Sequence, residues 1–215
     1  MRAWFEGVRD RYGNASFAMV GGVVVAAFAL VLVAVWPAQA GTVELWLEGR
    51  NEIGPDPFTD SLSFTEVTVP GELQTISFGD GITVVPGTAP GLYGGTGSDA
   101  ECDPARLIAF LEAEPDKAAA WASVQGIEVD EIADYIGGLT PAVLLNDTWV
   151  TNHGYRDGRA TPRQSVLQAG TAVLVDDEGV PRARCKCGNP LTPPQVPSDL
   201  DRVELVGEPW DDFDL

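Results

Sequence analysis

Residues 17–36 read FAMVGGVVVAAFALVLVAVW, a run without a single charged side chain. Wound as an α-helix at 1.5 Å per residue it would be about 30 Å long, the thickness of a bilayer's hydrocarbon core. A helix on a water-soluble core shows a polar face at a 3.6-residue period, and this run shows none. The run therefore divides the chain. Residues 1–16 are expected to form a cytoplasmic tail and 17–38 a transmembrane helix or a signal h-region. Residues 41–195 are expected to form an extracytoplasmic domain, and 196–215 an acidic C-terminal tail.

Charge sets the direction. Arg2, Arg9 and Arg11 precede the run, and Arg50 is the first basic residue after it. Basic residues stay on the cytoplasmic side, which puts the N-terminus inside and the C-terminal domain outside, on a single-pass cell-membrane protein. A second reading starts from Ala38-Gln39-Ala40, which follows Pro37 and has the small-residue pattern of a signal-peptidase site. Cleavage near Ala40 would release the domain as a secreted protein. Both readings export it.

The exported part is strongly acidic. From Gly41 onward 10 Lys and Arg stand against 30 Asp and Glu, within a whole-chain net charge of −19. Nucleic acid is disfavoured as a partner, because no basic stripe is present to neutralise phosphates. The partners that remain are the membrane, a cell-envelope component or another protein.

Local patterns suggest an α+β fold, one compact ectodomain of antiparallel strands with a small helical insert. Strand-like stretches cover 42–48, 62–69, 75–78 and 82–85, the last two joined by Gly79-Asp80-Gly81. The period then changes. Asp103 followed by Pro104 opens a helix whose apolar face holds Leu107, Ile108, Phe110 and Leu111. Pro115 restarts it, and a short helix near 130–136 ends at Gly137-Gly138. Strands return at 142–145, 148–151, 166–167 and 171–175, with a hairpin through Asp176–Gly179 into 180–185. Tyr155–Arg163 reads as a basic loop, and 197–215 as an extended or disordered tail on which Trp210 and Phe213 are candidate anchors.

The stretches GPDPFT (54–59), PGLYGGTGS (90–98), CDPARLIAFL (102–111), KAAAWA (117–122), YIGGLTPAVLLNDTWVTNHG (135–154), QSVLQAGTAVLVDDEGVPRARC (164–185) and CGNPLTPP (187–194) carry a resemblance. Over about Val43 to Pro194 the chain resembles an actinobacterial domain-of-unknown-function family, family 6777. Its members often follow a membrane segment, some of them behind a serine/threonine kinase domain, for which residues 1–16 leave no room. The resemblance implies an extracytoplasmic domain and no assigned activity.

Few residues invite chemistry. Cys102, Cys185 and Cys187 are disulfide candidates in an oxidising compartment, with Cys102 bridged to Cys185 or to Cys187 and one thiol left over. Such a bridge closes a loop worth on the order of 4 kcal/mol. The same three with His153, the only histidine, also make a Cys₃His set of the kind that holds structural zinc, although C-x-C is tighter than the usual spacing. A third reading is a cell-envelope enzyme using a Cys/His pair, with Arg182, Arg184 and Lys186 able to lower a thiol pKa. No complete catalytic set is present, so no catalytic residue and no cofactor is assigned. His153, Arg156, Arg159 and Arg163 are candidate binding residues for an anionic glycan or partner, set against simple pairing with the surplus carboxylates. The glycines at 91–97 lack the Lys of a phosphate loop. Asp56 with Asp60, and Asp176–Glu178, lack the spacing of a calcium loop. The leading expectation is a membrane-anchored extracytoplasmic binding or interaction domain.

Overall fold

A computed structural model of the chain describes residues 42–62, 92–94, 102–195, 197, 200–211 and 213. They belong to one compact unit spanning Thr42–Leu215. Its strands are β1 (Val43–Glu48), β2 (Tyr93–Gly94), β3 (Thr140–Leu144), β4 (Thr148–Arg156), β5 (Arg159–Leu167), β6 (Ala172–Val175), β7 (Pro181–Arg184), β8 (Asn189–Thr192) and β9 (Val203–Val206). Three helices, α1 (Pro104–Ala113), α2 (Pro115–Gln125) and α3 (Ile132–Gly137), fall between β2 and β3. The strands form one sheet in the order β2-β3-β6-β7-β8-β4-β5-β1-β9.

The helices form where the sequence punctuates them. Asp103 caps α1 by accepting a hydrogen bond from the backbone N–H of Arg106 at 3.0 Å, and Pro104 follows it. Pro115 opens α2, and Gly126, at φ +71°, closes it in the left-handed conformation that glycine adopts without a Cβ penalty. Leu107, Leu111, Trp121 and Ile136 turn inward onto Leu174 and Ala183 of the sheet, and together they form the main core. The indole of Trp121 donates to the Gly188 carbonyl at 3.2 Å, so this large buried side chain leaves no polar group unpaired.

The opposite face of the sheet curls around a second core. β6 and β5 stand four strand spacings apart in sheet order, about 19 Å if the sheet were flat. Only residues 168–171 join Leu167 to Ala172, a reach of about 17 Å at full extension. The sheet is therefore bent, and Val150, Leu167 and Leu191 share a cluster with Leu144, Val173 and Val175. A third cluster lies on the outer side of β1 and β5. It comprises Leu45, Leu47 and Val166, covered by Trp149, Val203, Trp210 and Phe213.

The expected fold needs correction. The sheet is not made only of antiparallel strands. β1 runs parallel to β5 and to β9, which makes a mixed nine-stranded sheet with few helices. Period-2 alternation is the same for parallel and antiparallel neighbours, so the sequence carries no mark of this difference. Among the described residues no helix is long and apolar enough to cross a membrane. The transmembrane helix expected at 17–38 lies outside the described residues, as do most of the strand expected at 62–69 and the strands at 75–78 and 82–85. Tyr155–Arg163 is not a loop. β4 and β5 form one long hairpin turning at Asp157-Gly158, both at positive φ. The C-terminal segment, expected to be extended or disordered, supplies β9 at the sheet edge. Trp210 packs onto the third cluster and donates to Asp147 at 2.8 Å.

Candidate functional site

The concave face of the sheet carries a buried set of polar side chains beside its apolar cluster. Glu48 ends β1, Asn152 lies on β4, and Arg163 and Ser165 lie on β5. Arg184 ends β7 and Asn189 starts β8. Registers place them together: Asn152 is opposite Arg163, Val150 opposite Ser165, and Arg184 opposite Asn189. Glu48 is 2% exposed and Arg184, Asn152, Ser165 and Asn189 are fully enclosed.

Glu48 is the hub. Its carboxylate accepts hydrogen bonds from Asn152 Nδ2 at 2.8 and 2.9 Å, Ser165 Oγ at 2.7 Å, Arg163 Nε at 3.1 Å and Arg184 Nη1 at 2.6 Å. Arg184 donates further to the carbonyls of Gly49, Glu52 and Ile53. Arg163 donates to the Pro55 carbonyl and lies over the Trp46 ring. Asn189 donates to Asn152 and accepts from the Phe58 backbone N–H. The set therefore stitches the segment after β1, residues 49–59, down across the sheet. A buried ion pair forgoes strong hydration, and here that loss is offset because nearly every donor and acceptor finds a partner.

Backbone geometry at Gly54 follows from this closeness. Gly54 has φ +76°, and a Cβ there would sit 3.1 Å from Arg184 Nη1 and 3.3 Å from Glu48 Oε2. Gly54→Ala is expected to lower stability by about 1–2 kcal/mol, since both the left-handed backbone and the crowding penalise a side chain. The check is a urea titration in which the midpoint falls and the slope stays constant.

The predicted site residues mostly do not converge. Cys102 and Cys185 form a disulfide, with Cα atoms 5.5 Å apart. Cys187 is a free, buried thiol facing the Arg184 carbonyl. With two thiols joined to each other, the Cys₃His arrangement is not assembled. Among the described residues no group of three or more His, Cys, Asp or Glu is placed to hold a metal. The histidine's Nδ1 lies 3.3 Å from the Pro190 carbonyl. Burial pushes the Cys187 thiol up, further than the nearby Arg184 guanidinium brings it back, which leaves it a poor nucleophile. Arg163 enters the buried set. Arg156 makes an exposed ion pair with Asp56, and Arg159 stands at the hairpin tip beside an open cleft of about 570 Å³ lined with Asp116, Ala119 and Ser123 of α2. Of the carboxylates weighed for calcium, Asp56 is taken by Arg156 and Asp176 by Arg182.

The family match adds to this geometry. A family described as Domain of unknown function (DUF6777) matches residues 83–215, more than half of the chain. The chain belongs to this family. The DUF6777 match runs through β9 to the C-terminus, so the segment expected to be a separate tail is part of the family's domain. It begins after β1, however, and so leaves Glu48, the hub of the buried set, outside the matched region. No curated protein and no solved structure matches the chain.

Acid sensitivity follows from the buried groups. Burial alone would raise the Glu48 carboxyl, but Arg184 and Arg163, with Ser165 and Asn152, outweigh it and hold it below the ordinary 4.5. Burial pushes His153 below its usual 6.5 against smaller opposing effects from the Pro190 and Thr151 backbone. In both cases the unfolded chain takes up its proton at higher pH than the folded one. Stability is then fully present above the unfolded pKa and is lost as pH falls through the folded value. Thermal melts should show one loss beginning below pH 6.5 and a second beginning below pH 4.5. His153→Gln should remove the first and leave the second.

Proposed function

We propose that this chain is an exported, non-catalytic binding or interaction domain that works outside the cytoplasm, held at the cell membrane or released after cleavage near Ala40. The observation that carries the reading is the enclosure of its convergent ionisable set. Glu48, Arg184 and their partners are sealed from solvent and bonded to one another, whereas a catalytic set needs a face open to substrate. The site is thus a structural knot that leaves the surface for function. The Cys102–Cys185 disulfide supports an oxidising compartment. The apolar run at 17–36 and the arginines before it support export in that direction. The actinobacterial, membrane-anchored setting implied by the resemblance belongs to the same reading. The partner is a cell-envelope component or another protein.

The test is co-sedimentation of the purified full-length chain with isolated cell-envelope fragments, alongside iodoacetamide labelling of the folded protein. Retention on the envelope with Cys187 unlabelled is expected. Rapid labelling of Cys187 near neutral pH would overturn the non-catalytic part. Absence of any retained or cross-linked partner would overturn the binding part.

A further inference from the structure

β9 pairs with β1 in parallel, with Val43 opposite Val203, Glu44 opposite Glu204, Leu45 opposite Leu205 and Trp46 opposite Val206. Residues in register project to the same side of a sheet, so Glu44 and Glu204 are neighbours. Both are exposed, and neither belongs to an ion pair among the described residues. Like charges in register oppose strand pairing. The fit is poor at the next position too. Leu45 is fully buried, yet Leu205 beside it is 42% exposed. The edge of β1 is thus filled by a strand that matches it at Val43 and Trp46 but sets like charge against Glu44, although the main-chain bonds that hold any strand there are indifferent to sequence.

We propose that the outer edge of β1 is a docking site for an extended segment of a partner protein, and that β9 is the chain's own, charge-mismatched occupant of it. Charge complementarity selects the partner: a strand with Lys or Arg in register with Glu44 and apolar residues on either side, toward Val43 and Leu45. Strand addition takes its affinity from main-chain hydrogen bonds and its specificity from alternate side chains. Replacing a repulsive neighbour of Glu44 by an attractive one favours the incoming strand over β9. The surplus of acidic side chains on the domain draws a basic segment toward it. Val203, Trp210 and Phe213, which cover Leu45 and Leu47, are the side chains that an entering segment would have to replace or slide beneath. This inference rests on the reading of the chain as a binding domain and names one surface of it.

The experiment uses the full-length chain and two labelled synthetic peptides, one copying residues 200–213 and one copying them with Glu204→Lys. Fluorescence anisotropy is expected to show the Lys peptide binding about fivefold to tenfold more tightly, from the swing between a repulsive and an attractive cross-strand pair. The preference should shrink at high salt and disappear in Glu44→Gln. Glu204→Lys in the chain itself should weaken Lys-peptide binding, because the chain's own strand then matches Glu44. Equal affinity of the two peptides, no binding by either, or binding untouched by Glu44→Gln and Glu204→Lys would overturn the proposal. None of those results bears on retention by the cell envelope, so the two readings fail separately.

Discussion

Replacing Glu48 with alanine is expected to destabilise the domain by about 3–5 kcal/mol, the usual cost of removing one partner from a buried ion pair. The reason lies in what remains. Arg184 is fully enclosed, and Arg163 is nearly so, with 10% of its side chain exposed. Without Glu48 two permanent positive charges stay in a low-dielectric interior, answered by carbonyl dipoles of residues 49–55 and, for Arg163, the face of Trp46. Glu48→Gln keeps the shape and removes the charge, so it should be nearly as damaging. Glu48→Ala combined with Arg184→Ala should cost clearly less than the two single losses added together, because the second change removes a charge that the first stranded. Urea unfolding followed by far-ultraviolet circular dichroism measures all four proteins. Simple additivity would mean that the pair contributes independently rather than as a unit. A further sign is local: residues 49–59 are tied down through Arg184, Arg163 and Asn189, so their amides should exchange faster in Glu48→Ala even under conditions where the sheet persists.

The second large effect is expected from the disulfide. Cys102 and Cys185 are 83 residues apart in sequence, and in the chain-entropy account a bridge of that span stabilises by about 4.5 kcal/mol. Cys102→Ser with Cys185→Ser should therefore lower the melting temperature by many degrees, and a reductant should do the same to the parent protein while leaving the double variant unchanged. Cys187→Ser should act through packing alone, since its thiol is buried and unbridged. Denatured parent protein should show one titratable thiol before reduction and three after it. A melt insensitive to reductant would mean that the bridge is absent or stores as much strain in the folded state as it removes from the unfolded one.

The helical part was legible because its signals are local. Asp103-Pro104, Pro115 and Gly137-Gly138 are each read within a few residues of the feature they fix, and the helices start and stop there. The β4–β5 hairpin was missed although its turn, Asp157-Gly158, is a strong local signal. The arginines around it resembled a solvated loop, and Arg163 points instead into the buried set. That set was invisible for a different reason. Glu48 meets Asn152, Arg163, Ser165 and Arg184 across 104 to 136 residues of sequence, and nothing near Glu48 announces them. Among the candidate binding residues only Arg163 reached the cluster, while His153, Arg156 and Arg159 follow the hairpin to other surroundings. The choice of cysteine partners was open for the same reason: C-x-C spacing puts two thiols near one another and leaves their orientation to the turn at 185–188.

The parallel pairing of β1 with β9 also decides how the domain bears load. The two strands run the same way over four registered pairs from Val43–Val203 to Trp46–Val206. A pull between the start of β1 and the end of β9 acts along the strands and in opposite senses. Every hydrogen bond of the ladder is then sheared at once, and none can be peeled open singly from one end. An antiparallel terminal strand pulled in the same way would unzip. Tension between the domain's entry and its C-terminus therefore meets its stiffest arrangement, and a grip on the C-terminal segment would be resisted by β1 itself.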